Sequence, residues 1–458
     1  MNEVIADLWD VVVIGGGAAG LFAALTAAEQ GSRVLILEKN RRPGVKILVS
    51  GGTRCNLTNA RGLRRLDVVS GPIDPEFPVD RLQGIRAIQE AFSPAAGRFL
   101  GPSLKSFDVD ATVLWFESHG VATKVEANGK IFPLSDRAAD VLDALESAAR
   151  TAGAKLWTLT PVQEIDRDDV EDRFIVSTPK GPVHARRVIL ATGGRSFPGC
   201  GTTGDGYAMA AKFGHAIVET RPALVPIVVA ADWVRDCKGI TLTDVGVKVV
   251  DPEGRVADTR RESLLFAHFG LTGPAILDVS RPLARAGSTR GWTIRIDLIP
   301  DLSAETFESQ LVELSRKGRV GIARLLPDRI PNRIKELVLS QCGLAAGVVA
   351  SEMPREKRKA LVSAVKSLTM PVASTLGFEK AEVTSGGVSL EEVDPKTLES
   401  RLRPGLQLIG EVLDIDGRIG GYNFQAAWSM GRLAGSVAAE LSRDSSERAG
   451  SGTIDDRT

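Results

Sequence analysis

Three segments predict an α/β fold built on a parallel sheet: a β-branched run, a glycine turn opening an Ala-rich helix, and a second apolar run. Asp10-Val-Val-Val-Ile-Gly15 shows no polar alternation, as a strand buried on both faces requires. Gly15-Gly16-Gly17-Ala18-Ala19-Gly20 follows at once and satisfies G-x-G-x-x-G. Leu21 to Gln30 reads as a helix that Gly31 ends, and Arg33-Val-Leu-Ile-Leu-Glu38 is a strand closed by an acid. Strand, glycines, helix, strand and acid in that order define a Rossmann-like dinucleotide-binding unit. Gly15 permits the tight turn, Gly17 lets backbone approach a pyrophosphate, and Gly20 lets the helix pack on the strand. The helix N-terminus at Ala18 and Ala19 directs free N–H groups at the phosphates. Glu38, close to the expected ~20 residues beyond the glycines, accepts from an adenosine ribose, with Lys39 beside it. This unit alone does not separate FAD from NAD.

Composition bounds the rest. A chain of 458 residues exceeds one ordinary core and predicts two or three domains. Lys and Arg number 57 and Asp and Glu also 57, with no long basic run, so the expectation is no nucleic-acid and no membrane partner. Cys55, Cys200, Cys237 and Cys342 form no C-x-x-C pair, which argues against a disulfide framework or a zinc site and fits a cytoplasmic chain. The uncharged stretch from Val11 to Ala28 lacks a positive flank and is broken by Gly15, Gly16, Gly17 and Gly20, so it is not read as a signal peptide or membrane span. His119, His184, His215 and His268 are isolated, and no metal site is expected.

Later segments point to FAD. Arg187-Val-Ile-Leu-Ala191-Thr192-Gly193-Gly194 is a strand whose small terminal residues let the chain pass close to a dinucleotide. Val162 to Ile165 reads either as the strand whose backbone meets the adenine or as an ordinary edge strand. Leu406 to Glu411 ends in Gly410-Glu411, with Asp414 beyond, and places an acid where ribityl hydroxyls need one. Gly420-Gly421-Tyr422-Asn423-Phe424-Gln425-Ala426 opens a helix whose N-terminus suits the flavin edge that turns negative on reduction. Gly199 to Gly204 also spells G-x-G-x-x-G, but Arg195 to Pro198 separates it from the preceding strand, so it is assigned to the FAD domain rather than to a second, nicotinamide site.

Gly44-Val-Lys46-Ile-Leu-Val-Ser50-Gly51-Gly52-Thr53-Arg54-Cys55-Asn56-Leu57-Thr58-Asn59 resembles the S-G-G-G-R-C-N-L-T-N signature of the BaiN-like and aminoacetone-oxidase-like FAD flavoproteins, with Thr53 in place of a glycine. The pattern recurs in Ala191 to Gly194, Thr203-Gly-Asp205-Gly206, Phe269 to Pro274, Thr384 to Val388 and the Gly410 to Ala426 segments. The resemblance implies a discontinuous Rossmann-like FAD domain at 1–220 and 380–442. It also implies a β-barrel-like insertion at 221–300 and a helical subdomain at 301–379. Residues 443–458 are polar and predicted disordered. Periodicity agrees with helices at Phe307, Leu311, Leu314 and at Leu361, Val365, Leu368, and with strands at Ile240–Val250 and Trp292–Leu298.

By the same resemblance, Lys46, Ser50, Gly51, Arg54, Cys55 and Asn56 line the flavin side. Arg54 would offset phosphate or reduced-flavin charge, and Cys55 reads as a reactive thiol or as a buried small residue. The expected activity is an FAD-dependent oxidoreductase, with the flavin held non-covalently, passing hydride between flavin N5 and a small organic molecule. No catalytic acid or base is assigned, and oxygen or NAD(P)H is left open as the electron partner. A flavin-dependent tRNA-modifying enzyme and a non-catalytic flavin protein remain the alternatives.

Overall fold

The computed structural model describes residues 8–75, 77, 84–316, 320–345 and 347–451. It divides into two compact units, Met1–Thr220 with Val383–Thr458, and Arg221–Glu382.

In the first unit, strand β1 (Leu8–Ile14) runs between parallel neighbours β2 (Val34–Leu37) and β9 (Gly181–Leu190). Val11 to Val13 are fully buried, which accounts for the missing polar alternation. Helix α1 (Ala18–Glu29) links β1 to β2 and is buried from Ala19 through Ala28, so it is apolar all round rather than amphipathic. Beyond β2 come α2 (Val45–Val49) and β3 (Thr58–Asn59), then α3 (Ile85–Gln89), α4 (Pro94–Ser106) and α5 (Val109–Ser118). Ser93 and Asp108 start the last two by accepting from Ala96 N–H and Ala111 N–H. Strands β4 (Thr123–Val125) and β5 (Lys130–Pro133) join β3 in a small antiparallel sheet. After α6 (Ala138–Thr151), β6 (Lys155–Trp157) extends the main sheet next to β2, and the hairpin β7 (Glu164–Asp168) and β8 (Arg173–Thr178) adds antiparallel strands beside β9. Helix α7 (Asp205–Lys212) and strand β10 (Ile217–Ala223) close this segment.

The second unit is built on a closed six-stranded antiparallel barrel. Its strands in chain order are β11 (Ile227–Val229), β12 (Thr241–Val250), β13 (Val256–Ala267), β14 (Gly270–Thr272), β15 (Thr293–Asp297) and β16 (Leu368–Thr375). Around the barrel the order is β11-β14-β13-β12-β15-β16. Short helices α8 (Trp233–Asp236), α9 (Pro274–Val279) and α10 (Arg281–Ala286) lie between early strands. Helices α11 (Ala304–Arg316), α12 (Asn332–Gln341) and α13 (Arg355–Lys366) fall between β15 and β16. The barrel therefore does not end near residue 300: its sixth strand lies after the helices, in the segment expected to be helical. Leu361 and Val365 face the core from α13, but Leu368 begins β16.

The chain then returns to the first unit. Strand β17 (Val383–Val388) is buried throughout, and β18 (Leu406–Leu408) pairs in parallel with the end of β9. Helix α14 (Tyr422–Ser451) packs along α1, with Gly431 and Gly435 allowing close approach: a Cβ there would lie 2.6 and 2.3 Å from the carbonyls of Ala19 and Ala23. Residues 443–451, expected to be disordered, continue this helix, and 452–458 lie outside the described residues. Among the described residues, no helix is long and apolar enough to cross a membrane.

Candidate functional site

The glycine turn shows which positions need the absence of a side chain. Gly15 has φ +104°, and a Cβ on it would lie 2.5 Å from the Ala191 carbonyl. A Cβ on Gly20 would lie 1.9 Å from the Gly15 carbonyl, so α1 rests directly on the turn. A Cβ on Gly17 would meet nothing within 4 Å, and the backbone there borders open space at the helix N-terminus. That combination of tight packing behind and space in front fits a pyrophosphate held by first-turn N–H groups of α1. Gly410 joins the same place, since its Cβ would come 3.2 Å from that of Ala19.

Glu38, at the end of β2, is 6% exposed, and its two oxygens accept from Gly16 N–H (2.8 Å) and Asn40 N–H (2.7 Å). These bonds fix the carboxylate beside the glycine turn and leave each oxygen a further lone pair for a hydroxyl donor. Lys39 is paired with Asp205 at 2.5 Å and donates to Thr203 Oγ1 at 2.7 Å. Asn40, which carried no sequence signal, donates to the Cys200 carbonyl at 3.0 Å and so ties the second glycine loop to the end of β2. That loop includes Gly201 at φ +89° and Gly204 at φ +85°, and it precedes α7 inside the first unit.

A second convergence joins segments far apart in sequence. Lys46 Nζ lies 2.7 Å from Glu411 Oε2, and Glu411 Oε1 accepts from Thr384 N–H at 2.7 Å. Thr384 Oγ1 accepts from the N–H groups of Arg195 (2.8 Å) and Ser196 (3.1 Å). Gly194 has no room for a side chain, because a Cβ would lie 2.3 Å from Thr384 Oγ1. Gly193 has φ +72°, and Thr192 Oγ1 is buried with no hydrogen-bond partner among the described residues. Gly206 leaves room for this hydroxyl, since a Cβ there would lie 2.0 Å from Thr192 Oγ1. Asp414 accepts from Gly386 N–H at 2.9 Å. Sequence reading missed the hub role of Thr384, although its T-S-G-G-V segment was visible as a motif.

The S-G-G-T-R-C-N loop turns through positive φ at Gly51 (55°) and Gly52 (69°), where it costs little, and is strained at Thr53 (70°) and Cys55 (60°). Ser50 Oγ donates to the Ile47 carbonyl at the end of α2. Arg54 pairs through Nη1 with Glu126 at 2.8 Å and Asp136 at 3.2 Å and sits 4.0 Å over the Phe132 ring. Cys55 is fully buried, and desolvation pushes its thiol up to about 12, so the buried-residue reading stands over the reactive one. Asn56, with its amide oriented to satisfy both ends, donates to Thr58 O (2.9 Å) and Ile131 O (3.2 Å) and accepts from Gly421 N–H (2.9 Å).

At the start of α14, the polar side chains are bonded within the protein. Asn423 accepts from Gly417 N–H (2.8 Å) and donates to Gly417 O (3.0 Å). Gln425 is fully buried, accepts from Thr58 Oγ1 (2.6 Å) and donates to Thr112 Oγ1 (2.9 Å) and Ser429 Oγ (3.0 Å). Ala426 is also in the core. Gly420 (φ +133°) and Gly421 (φ +90°) make the turn, and a Cβ on Gly421 would lie 2.5 Å from the Thr58 carbonyl. Val162 precedes β7 rather than joining it, and Gln163 N–H donates to Ser177 O at 2.9 Å.

A family model described as "HI0933-like protein Rossmann domain" matches residues 9–70 and 86–437. The chain belongs to this family of FAD-binding Rossmann oxidoreductases, in agreement with the resemblance carried by its motifs, and flavin is its cofactor. It is 31% identical over 425 residues to "Ribosomal RNA dihydrouridine synthase" of Escherichia coli (strain K12), covering 92% of this chain and 96% of that protein. It is 33% identical over 433 residues to "3-dehydro-bile acid delta(4,6)-reductase" of Clostridium scindens, covering 93% and 98%. A protein of the first description from Haemophilus influenzae is 30% identical over 422 residues, covering 91% and 95%.

Proposed function

We propose that this protein is an FAD-dependent reductase that saturates a ring carbon–carbon double bond conjugated to a carbonyl. One observation carries the reading: relatives of two kinds align along nearly the whole chain, and their named reactions share that chemistry. Dihydrouridine is uridine whose C5=C6 bond, conjugated to the C4 carbonyl, has been reduced. A 3-dehydro-Δ4,6 steroid carries its diene in conjugation with the C3 ketone. Both reductions add a hydride at the electron-poor end of the conjugated system and a proton at carbon. The substrates differ, but the bond type does not.

Bound FAD, reduced by an external two-electron donor such as a nicotinamide, supplies a hydride from N5. This chain's residues do the holding. Gly15, Gly17 and Gly20 let the backbone approach the pyrophosphate, and Glu38 accepts from the adenosine ribose. Glu411, oriented by Thr384 N–H and Lys46, would accept from ribityl hydroxyls. No covalent attachment is proposed: Cys55, in the signature loop, is buried with a raised pKa, which makes it a poor nucleophile.

The test is product analysis under anaerobic conditions. Dithionite-reduced protein is mixed with a cyclic enone, a steroid dienone, free uridine and a uridine-containing RNA. At least one should gain about 2 Da and lose its conjugated absorbance. Unchanged mass in every substrate, with the flavin demonstrably reduced, rejects the reading.

A further inference from the structure

Four large apolar residues hold the left-handed conformation among the described residues: Leu159 (φ +52°), Phe197 (+57°), Leu224 (+50°) and Leu398 (+58°). In that region a side chain crowds the backbone, so each position is strained. Leu224 and Leu398 are 1% and 0% exposed, and their burial offsets the strain. Phe197 is 36% exposed and Leu159 61%, so Leu159 gains the least from the fold.

The conformation of Leu159 is imposed by its anchors. Glu38 N–H donates to the Trp157 carbonyl (2.9 Å), Thr160 N–H to the Glu38 carbonyl (2.9 Å) and Leu159 N–H to the Asn40 carbonyl (3.0 Å). Thr160 is fully buried, which fixes the chain on the far side. These bonds carry residues 157–160 across the carboxyl end of β2, where β6 pairs with it through Leu37 and Trp157. Ligands of a parallel sheet bind outside the carboxyl ends of its strands. The carboxylate of the same Glu38 is fixed there by Gly16 N–H and Asn40 N–H. The Trp157 ring already carries the Lys180 ammonium 5.5 Å from its centre, and Lys180 also donates to the Thr158 carbonyl (3.3 Å). Within this crossing, Leu159 is therefore the large apolar side chain left uncovered. A strained residue held open to solvent at a strand's carboxyl end has the character of a ligand contact, where binding supplies the burial that folding does not.

We propose that Leu159 is the apolar wall of the adenine subsite and sets the preference for a dinucleotide flavin over a mononucleotide. The inference rests on the placement of FAD given above, with Glu38 at the adenosine ribose, because the base is joined to that ribose at C1′. A flat purine face against an aliphatic side chain removes apolar surface of both from water.

The test titrates apo-protein of the full chain with FAD, FMN and ADP. Without ligand, Leu159→Gly should melt no lower than wild type, because relief of the left-handed strain opposes the freedom that glycine adds to the unfolded chain. FAD and ADP should bind it about five- to tenfold more weakly, as expected for part of one leucine's burial, while FMN binds unchanged. Leu159→Met keeps an apolar side chain and should keep FAD and ADP affinity. If Leu159→Gly melts low, Leu159→Asn, which tolerates the same φ, should show the same selective loss. Unaltered FAD and ADP affinity in the Gly and Asn variants overturns the proposal, and so does an equal loss for FAD, ADP and FMN, which marks a purely structural role. Failure of the underlying placement looks different: wild type then binds FMN as tightly as FAD and ignores ADP. Double-bond reduction plays no part in these titrations, so its failure leaves their outcome standing.

Discussion

Around the glycine turns of the first unit the basic side chains are tied: Lys39 to Asp205, Lys46 to Glu411 and Arg54 to Glu126. In the helices of the second unit Arg333, Arg355, Lys357 and Lys359 have no such partner among the described residues. The tied charges act as struts. Each joins two segments distant in sequence, and together they hold the loops expected to bind the cofactor. The others form no such link, although Lys357 stands beside Gly343 at the end of α12. Residues of one type thus link distant segments in one place and stay unpaired in another, a difference that a whole-chain charge count averages to zero.

The comparison breaks first at the glycine turn. Gly20→Val forces side-chain atoms into a space where even a Cβ would lie 1.9 Å from the Gly15 carbonyl. It should cost about 3 kcal/mol of stability and abolish flavin retention, read by melting temperature and by flavin content after purification. The variant R355Q/K357Q/K359Q, on the exposed start of α13, should change neither quantity. If both variants lose flavin alike, the two units do not divide their tasks in this way.

Next is the Lys46–Glu411 strut. Glu411→Ala removes an acceptor expected at ribityl hydroxyls and leaves Thr384 N–H and Lys46 unpaired, so FAD affinity should fall about ten- to hundred-fold, or ~1.5–3 kcal/mol. Titration of apo-protein with FAD measures it. Lys46→Met should weaken FAD less, because the acid remains. Equal losses in both variants would mean that the ion pair, not the carboxylate, is what the cofactor requires.

A smaller effect should come from another tied group, His215. It lies between Glu392 (3.1 Å) and Ser400 (2.7 Å), and burial lowers its pKa against the opposing influence of Glu392. The unfolded histidine takes up its proton near 6.5, whereas the native one does so only at lower pH. Below about 6.5 the unfolded state therefore binds more protons, and stability falls as pH drops towards the native value and then levels. Urea midpoints at pH 8 and pH 5.5 should show a smaller drop for His215→Gln than for wild type. An identical drop would remove His215 from the account.

The smallest effect is a gain. Thr53 holds φ +70° in the signature loop, where the family pattern has glycine. Thr53→Gly relieves a strained left-handed conformation and should stabilise by ~0.5–1 kcal/mol in denaturant unfolding, less whatever its Oγ1 bond to the Gly52 carbonyl contributes. A loss of stability would show that the hydroxyl matters more than the strain.

The β1–α1–β2 unit was readable because each step has a local cause: an unbroken apolar run, glycines where no Cβ fits, and an acid at the strand end. The barrel's last strand was hidden, because Leu368 continues the helical spacing of Leu361 and Val365 although the chain leaves α13 at Lys366. Asn423 and Gln425 looked like polar groups presented by a helix N-terminus, but sequence does not say which way a polar side chain turns. Here Gln425 enters the core, where Thr58, Thr112 and Ser429 satisfy its amide. Struts such as Lys46–Glu411 span 365 positions and leave no periodic trace. The expectation of no nucleic-acid partner rested on a neutral total of 57 basic and 57 acidic residues, and a total does not report how charge is distributed.

The central claim, reduction of a carbonyl-conjugated double bond at bound FAD, is tested most directly by anaerobic stopped-flow reoxidation. Reduced protein mixed with a cyclic enone or uridine-containing RNA should regain its oxidised flavin absorbance in one turnover, with one equivalent of saturated product formed per flavin. Reduced flavin that persists against every conjugated carbonyl compound and returns only when oxygen is admitted would contradict the account.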